Sequence, residues 1–212
     1  MRDRFEGIGD RNMTLEALEQ ELNVTFPELF HIAYDNGDME WLTLTYEEFQ
    51  RDSQKYIDSP HSFMIFPSWC ELTAFDRIFR RKQDLDELLT EWQEYECLKM
   101  RENIEIIPFG QSPGGDFYCF LYRDNSAEPC VIQIYHDEYY ARYEAVDFEE
   151  LLFGQMVEAL AQGDLNKQGE QYKHHCRYLS DEHKAILEGK DKKQLLELFE
   201  NRVYPDCPIN EW

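Results

Sequence analysis

The sequence predicts an α+β (mixed α/β) fold in which a central, mostly antiparallel sheet is flanked by helices. Residues 104 to 135 contain aromatic-rich apolar runs joined by turn residues, which is typical of sheet strands. On either side of them, apolar residues recur at helical spacing behind capping residues. We therefore expect a domain over residues 1 to 163, with a C-terminal helical extension over residues 164 to 212 packed on it.

Composition and charge limit the classes of partner. The chain has 212 residues, enough to bury a core, and its 44 acidic against 21 basic residues give a formal net charge of −23. Phosphate backbones and anionic lipid repel such a chain, so we expect neither direct nucleic-acid binding nor membrane binding. A basic protein would be attracted to it, although acidity that only keeps the protein in solution is the alternative.

The N-terminal residues and the cysteines predict a cytoplasmic location. Residues 1 to 7 have no hydrophobic segment behind their charges, and no apolar run reaches the roughly 20 residues that span a bilayer. The six cysteines are irregularly spaced without a C-x-x-C pair. This usage is typical of reduced thiols.

Capping residues and apolar stripes predict the first elements. Thr14 caps a helix, Pro27 opens a second one, and Asn36-Gly37 ends that second helix. The pattern that follows predicts a strand at residues 39 to 45, a polar helix at 46 to 56 and a short strand at 61 to 66.

A run of cations lies between the next two predicted helices. The apolar spacing predicts one helix over residues 72 to 79 and a second that begins at Asp84, with Glu87 at capping-box spacing. The cations are Arg77, Arg80, Arg81 and Lys82. They could hold an anion, but a helix C-terminus favours cations through its dipole, and we prefer that structural interpretation.

The apolar runs predict a hairpin at the centre of the sheet. Pro113-Gly114 suits a type II turn, and residues 117 to 122 and 130 to 135 form the two strands. If the seven-residue loop is symmetric, odd-numbered residues of both strands share one face and even-numbered residues the other. Both faces would then be apolar and covered by helices, and Cys119 and Cys130 would lie on opposite faces, where they cannot form a disulfide.

The remaining elements show alternation or caps. Residues 138 to 146 alternate, and we expect Glu138, Tyr140, Arg142 and Glu144 to point to solvent. Asp147 caps a helix that Gly163 ends, and Ser180 and Asp191 each start a short helix of the extension. We expect the extension to pack on the domain through Ile186, Leu187, Leu195, Leu196, Leu198 and Phe199.

No cluster of side chains predicts catalysis or a cofactor. His174-His175-Cys176 is the best candidate for a metal, yet adjacent histidines point apart and no second ligand pair has zinc-site spacing. Gly114-Gly115 lacks the lysine of a phosphate-binding loop, and Cys119 lies in a predicted buried strand. We therefore predict no catalytic, cofactor or metal residue. An acid–base hydrolase is the alternative, and it needs a cleft carboxylate with a raised pKa.

Three segments, in this order, resemble the SUKH superfamily. Phe26 to Gly37 is similar to a proline-started helix with an Asn-Gly stop, and Ile107 to Asp116 leads into a strand as in that family. Ala145 to Leu152, after a strand from Val131, is similar to its closing helix. The resemblance covers roughly residues 14 to 160, and the segment from 68 to 101 is longer than the family pattern.

The resemblance implies a non-enzymatic binding protein, since the superfamily includes many bacterial immunity proteins and a fungal regulator of cell-wall synthesis. It implies neutralisation of a cognate protein toxin, a basic one such as a nuclease; the alternative is a regulatory interaction protein. We predict partner contacts on acidic and tyrosine-bearing surfaces, with an ordinary solvated face as the alternative for each residue. The residues are Asp35, Asp38 and Glu40, then Glu87, Glu91 and Glu94, and finally Glu138, Tyr140, Arg142 and Glu144.

Overall fold

The computed structural model describes residues 13–57, 59, 61–63, 70–95, 100, 102–123, 128–138, 140–207 and 209. No helix in this part of the chain combines the length and the apolar character needed to cross a bilayer.

The elements in chain order are α1 (Leu15–Leu22), α2 (Glu28–Asp35), a 3₁₀ helix (Glu40–Thr43), α3 (Tyr46–Ile57), β1 (Glu71–Leu72), α4 (Phe75–Glu94), β2 (Ile104–Gln111), β3 (Phe117–Arg123), β4 (Cys130–Tyr135), β5 (Tyr140–Ala145), α5 (Phe148–Gln162), α6 (Glu170–His175), a second 3₁₀ helix (Cys176–Tyr178), α7 (Asp181–Gly189) and α8 (Lys192–Glu200).

Among the described residues the sheet has five strands in the order β1-β2-β3-β4-β5, and every neighbouring pair is antiparallel. This confirms the predicted α+β class and its antiparallel sheet. The central strand β3 is buried on both faces, which is why it lacks the alternation of polar and apolar residues of a half-exposed strand.

The register of the β3–β4 hairpin differs from the predicted one. Phe117 lies opposite Ile134 and Leu121 lies opposite Cys130. Residues 122 to 129 separate that last pair, an even number, so odd-numbered residues of β3 share a face with even-numbered residues of β4. Cys119 and Cys130 therefore belong to the same hydrophobic cluster, and both are free thiols. The prediction that they lie on opposite faces was wrong.

The turn before the hairpin also differs from the predicted type. Gly115 N donates to Ser112 O at 3.0 Å, so Pro113-Gly114 does occupy the central positions of a turn. The positive φ of 97° belongs to Gly115 and not to Gly114. A type II turn requires a positive φ at its second central residue, so this turn is not of that type.

Two hydrophobic cores cover the two faces of the sheet. The first core contains the apolar faces of α1, α2 and α5, and at its centre Phe109 stacks on Phe120 with 4.0 Å between ring centroids. The second core packs Leu85, Leu89 and Trp92 of α4 against the other face. Helices thus cover both faces of the central hairpin, as the sequence predicts.

Helix α4 is one continuous helix of 20 residues, not the two helices that the sequence predicts. Residues 80 to 83 are Arg-Arg-Lys-Gln, all good helix formers, so nothing in the sequence stops the helix before Asp84. Leu72 lies in β1 instead of a helix. The first half of α4 contributes to the first core and the second half to the second core, so the helix passes from one face of the sheet to the other beside β2.

Two other predicted strands differ from the structure of the described residues. A 3₁₀ helix replaces the strand predicted over residues 39 to 45, and Trp41 and Leu42 are both buried there, which an alternating strand does not allow. Residues 61 to 63 form a turn rather than the start of a strand, and residues 64 to 66 lie outside the described part.

The C-terminal residues pass around the free edge of β5. Ser180 and Asp191 cap α7 and α8 as predicted, and Leu187 and Leu195 are buried in the first core. Leu196 and Leu198 were also expected to pack on the domain, but each side chain is 38% exposed, so both are only partly buried. Beyond α8 the Arg202 guanidinium donates to the Glu144 carbonyl oxygen, and Ile209 is buried in the second core.

Candidate functional site

Three of the predicted partner-binding residues lie around the turn after α2, in two different environments: Asp35 ends α2, Asp38 lies in the turn and Glu40 begins the first 3₁₀ helix. Asp35 and Glu40 are exposed. Asp38 is only 8% exposed; its Oδ2 lies 2.7 Å from His174 Nε2 and accepts a hydrogen bond from the Tyr178 hydroxyl. Asp38 therefore fastens this turn to the second 3₁₀ helix and is not available on the surface of the free protein.

The histidine next to Asp38 belongs to a wider polar network. His174 Nδ1 lies 3.1 Å from His61 Nδ1 and 2.6 Å from Arg177 Nη2. Burial lowers the pKa of His174, and the neighbouring Asp38 carboxylate opposes that shift. The sequence gives no signal for this network, because Asp38 and His174 are 136 residues apart in the chain.

The acidic residues of α4 form a surface that we call the α4 acidic face, defined by Glu87, Glu91 and Glu94. All three are exposed, and none forms an ion pair within the described part of the chain. Glu87 Oε1 accepts a hydrogen bond from Gln83 Nε2 at 3.2 Å. Tyr95, which follows the helix, is 66% exposed. This surface combines exposed carboxylates with an accessible aromatic ring.

The β5 residues that we expected on a solvent face divide into two groups. Glu138 and Tyr140 are exposed, but Glu144 is only 4% exposed. The cause is the face of the sheet on which these residues lie: Arg142 pairs with the buried Gln133, and Glu144 lies two residues further along the strand, on the same face. A β-bulge occurs at this point, because Val131 pairs with Ala145 and Ile132 pairs with Tyr143, which leaves Glu144 as the extra residue. The prediction that Glu144 points to solvent was wrong.

Arg142 is the centre of a polar cluster beneath the β5 edge. Its Nε donates to Glu144 Oε1 at 2.5 Å and its Nη2 donates to Gln133 Oε1 at 3.0 Å. Its guanidinium also lies 4.4 Å from the ring centroid of Tyr204. Arg142 is half-buried, so these contacts hold the strand edge against the C-terminal residues.

Burial changes the acidity of two carboxyl groups in this cluster. Desolvation raises the pKa of Glu144, against the attraction of Arg142. Desolvation, together with the negative charge of Glu144, raises the pKa of Glu158 to about 7. Glu158 is 5% exposed and does not line the groove of about 520 Å³ between α5 and α8. Its raised pKa therefore reflects the protein interior and not an open catalytic cleft.

His175 and the nearby His183, which were weighed as metal ligands, and Cys119, weighed as a nucleophile, lie in environments that the structure defines. His175 Nδ1 bonds to the Gln171 carbonyl at 2.8 Å, and burial lowers its pKa to about 4. His183 Nδ1 lies 2.7 Å from Glu149 Oε1. Burial raises the pKa of the Cys119 thiol well above its usual value. Within the described residues, no three His, Cys, Asp or Glu side chains are arranged to hold a metal ion.

Comparison with known families identifies the class of protein. The model of the SMI1 / KNR4 family (SUKH-1) matches residues 12–154, which is more than half of the chain. The protein belongs to this family. Proteins of the SMI1 / KNR4 family are generally of an immunity or regulatory type rather than enzymes. No curated protein and no solved structure gives a significant match.

The family match covers part of the sites described above. It includes the α4 acidic face, all five strands and the first half of α5. It ends before His174, Tyr178 and Arg202, which bind Asp38 and the Glu144 carbonyl. In this SMI1 / KNR4 protein, two of the predicted partner-binding residues are thus held in place by the chain beyond the family segment.

Proposed function

We propose that this protein is an immunity protein, which binds and neutralises a cognate protein toxin in the cytoplasm. The observation that carries the proposal is the charge distribution of α4. Its C-terminal half presents Glu87, Glu91 and Glu94 to solvent without an ion pair in the described residues, and its last turn contains no basic residue. Family membership supports the same class of function.

The position of these carboxylates supports a role in binding rather than in stability. A helix C-terminus carries a partial negative charge, so acidic side chains are locally unfavourable there. Glu87 and Glu91 are four residues apart and Glu91 and Glu94 three, spacings at which like charges on a helix repel. A basic partner would remove both costs by supplying cations.

The start of β5 and the residues before it supply a second surface for the same proposal. Glu138 is exposed and Tyr140 is 51% exposed, and together they offer a charge and an aromatic anchor. Asp35 and Glu40 are exposed acids on either side of the turn after α2. For the buried Asp38 and Glu144 and the half-buried Arg142, we propose a different contribution, which is to hold these surfaces in shape.

Neutralisation would follow from occlusion of a cationic cleft. Carboxylates can occupy the positions that substrate phosphates take in a nuclease, and an exposed tyrosine supplies apolar contact area at small entropic cost. The net charge of −23 would steer a basic toxin towards the protein. Such attraction allows association rates of about 10⁸ to 10⁹ M⁻¹s⁻¹ at low salt.

The test is to produce the protein with the product of its adjacent gene. We expect a stable complex on copurification with mass spectrometry, and rescue of cell growth from that gene product. A neighbouring product that binds without being toxic would contradict the immunity role and favour a regulatory interaction protein. Absence of any complex with it would contradict the proposal outright.

The binding surface is tested with charge-matched variants. We expect Glu87→Gln, Glu91→Gln and Glu94→Gln, combined, to slow association by at least tenfold at low salt and to weaken its salt dependence. The control combines Glu182→Gln, Glu188→Gln and Glu200→Gln, which remove the same charge from exposed residues of α7 and α8. Equal effects of both triple variants would show general steering and move the contact surface elsewhere.

A further inference from the structure

The groove between α5 and α8 exposes apolar side chains at the surface of the protein. It has a volume of about 520 Å³, and its apolar lining residues are Phe153, Val157, Leu198 and Phe199. Leu198 is 38% exposed. A groove of this size can receive several side chains of a bound molecule. Apolar surface with a polar rim is typical of a site where another molecule binds.

One wall of the groove is formed by Arg202, which packs closely on α5. The guanidinium donates to the Glu144 carbonyl oxygen, and a Cβ at Gly154 would lie 2.8 Å from its Nη1. Glycine inside a helix lowers helix stability by about 1 kcal/mol relative to alanine. The close approach of the arginine gives a physical reason for glycine at this position. Arg202 is thus held in place where it borders the groove.

Two exposed valines lie beside the groove. Val203 follows Arg202 directly and is 87% exposed. Val146 is 59% exposed, and its backbone N–H donates at 2.7 Å to the carboxylate of Glu150, which lines the groove. The same surface therefore carries accessible apolar side chains and an apolar groove. A symmetric interface between identical copies needs both features on one patch, because each copy supplies the group that the other receives.

The charges around the groove are balanced. Lys190 and Arg202 supply two cations, and Glu150 and Glu197 supply two carboxylates. Lys190 forms no ion pair in the described part of the chain, and Arg202 donates to a neutral carbonyl oxygen. A second copy, related by a two-fold axis, offers carboxylates to these cations and cations to these carboxylates.

The distribution of charge along the chain distinguishes a second copy from a basic partner. Residues 1 to 163 contain 34 acidic and 13 basic residues, whereas residues 164 to 212 contain 10 acidic and 8 basic residues. Two copies therefore repel each other much more through the domain than through the extension. A basic protein is attracted to the domain and gains little from a rim with equal numbers of both signs. The groove consequently suits a second copy of this chain.

We propose that the protein forms a symmetric dimer through the groove between α5 and α8. Val203 of each copy enters the groove of the other, and Leu198 and Phe153 of both copies become buried. Helices α5 and α8 pack on the first core, whereas the α4 acidic face belongs to the half of α4 that packs on the second core. The dimer interface and the acidic face thus lie on different sides of the sheet.

Sedimentation equilibrium of the full chain measures the dimer dissociation constant. Leu198→Gln and Leu196→Gln are a matched pair, because both leucines lie in α8 and are 38% exposed, and of the two Leu198 alone lines the groove. We expect Leu198→Gln to raise the dissociation constant by about tenfold or more, since a symmetric dimer loses the buried side chain twice. Leu196→Gln should change it by less than about twofold.

Two further measurements keep the test independent of folding and of charge. Urea denaturation checks that both leucine variants fold, and Val203→Gln, at an 87% exposed side chain, gives the same test if Leu198→Gln does not fold. Raising the salt concentration should tighten the dimer, because salt screens the repulsion between two copies that each carry a net charge of −23.

Four outcomes would overturn the proposal. They are a monomer at about 0.1 mM, where a dimer of micromolar affinity is mostly formed, equal losses in both leucine variants, and a dimer that dissociates as salt rises. The fourth is a monomeric protein whose complex with the product of the adjacent gene is weakened by Leu198→Gln and not by Leu196→Gln. That result would assign the groove to the other partner.

Discussion

The carboxylates inside the fold and those on the α4 acidic face have the same chemistry and opposite surroundings. Asp38, Glu144 and Glu158 are each less than one tenth exposed, and each lies near a cation, a hydroxyl or a histidine. Glu87, Glu91 and Glu94 are exposed and form no ion pair within the described residues. In a protein with 44 acidic residues, burial decides whether a carboxylate holds the fold or is available to a partner.

Among substitutions that compare buried with exposed carboxylates, we expect the largest loss of stability at Asp38. Asp38→Ala removes the acceptor for the Tyr178 hydroxyl and the partner of His174, both of which are buried. Since buried polar groups are left without partners, we expect the free energy of unfolding to fall by about 3 kcal/mol. Urea denaturation measures the change. Asp35→Ala, an exposed acid three residues earlier, should change it by less than about 0.5 kcal/mol; equal losses would contradict the distinction.

The second prediction concerns the pH dependence that Glu158 causes. Its pKa is raised from 4.5 to about 7 in the folded protein, so the folded state binds more protons than the unfolded state between those values. The free energy of unfolding therefore decreases as pH rises from about 4.5 to 7, by roughly 2 to 3 kcal/mol from this residue.

Glu158→Gln tests that sign directly. The variant stays neutral, so it should lose this part of the pH dependence and be more stable than the parent at pH 7. Urea denaturation at several pH values gives the two profiles, and parallel profiles would show that Glu158 is ionised at neutral pH. Glu91→Gln, on the exposed face, provides the control and should leave the profile of the parent unchanged.

Local chemistry explains which parts of the fold the sequence predicts. Thr14, Ser180 and Asp191 cap helices as expected, because a cap involves residues only three positions apart. The β3–β4 register depends on where pairing begins across the loop, and the bulge at Glu144 depends on strand pairing. The alternation of polar and apolar residues along the chain therefore predicts neither the register nor the bulge. The network of Asp38 and His174 joins residues 136 positions apart, and no local pattern marks it.

A smaller loss of stability is expected at Arg142, because its side chain is partly exposed. Arg142→Ala removes the ion pair to Glu144, the hydrogen bond to Gln133 and the packing on Tyr204. Protonation of Glu144 limits the cost, since burial already raises the pKa of that carboxyl. We expect a decrease of about 2 kcal/mol in the free energy of unfolding, measured by urea denaturation. Arg80→Ala, at an exposed arginine, should cost less than about 0.5 kcal/mol, and a similar loss there would remove the contrast between buried and exposed groups.

The smallest effect, which is also a gain in stability, is expected on the α4 acidic face. Replacing Glu87, Glu91 and Glu94 together with Gln removes like-charge repulsion along the helix and negative charge from its C-terminal end. We expect the free energy of unfolding to rise by about 0.5 kcal/mol at low salt, and the gain to disappear at high salt through screening. Glu182→Gln should instead lower the free energy of unfolding, because Glu182 lies in the first turn of α7, where the dipole favours an acid.

A loss of stability in the triple variant would show that these acids have intramolecular partners. If the triple variant is more stable and also associates more slowly with the partner, then these three carboxylates lower the stability of α4 and contribute to binding.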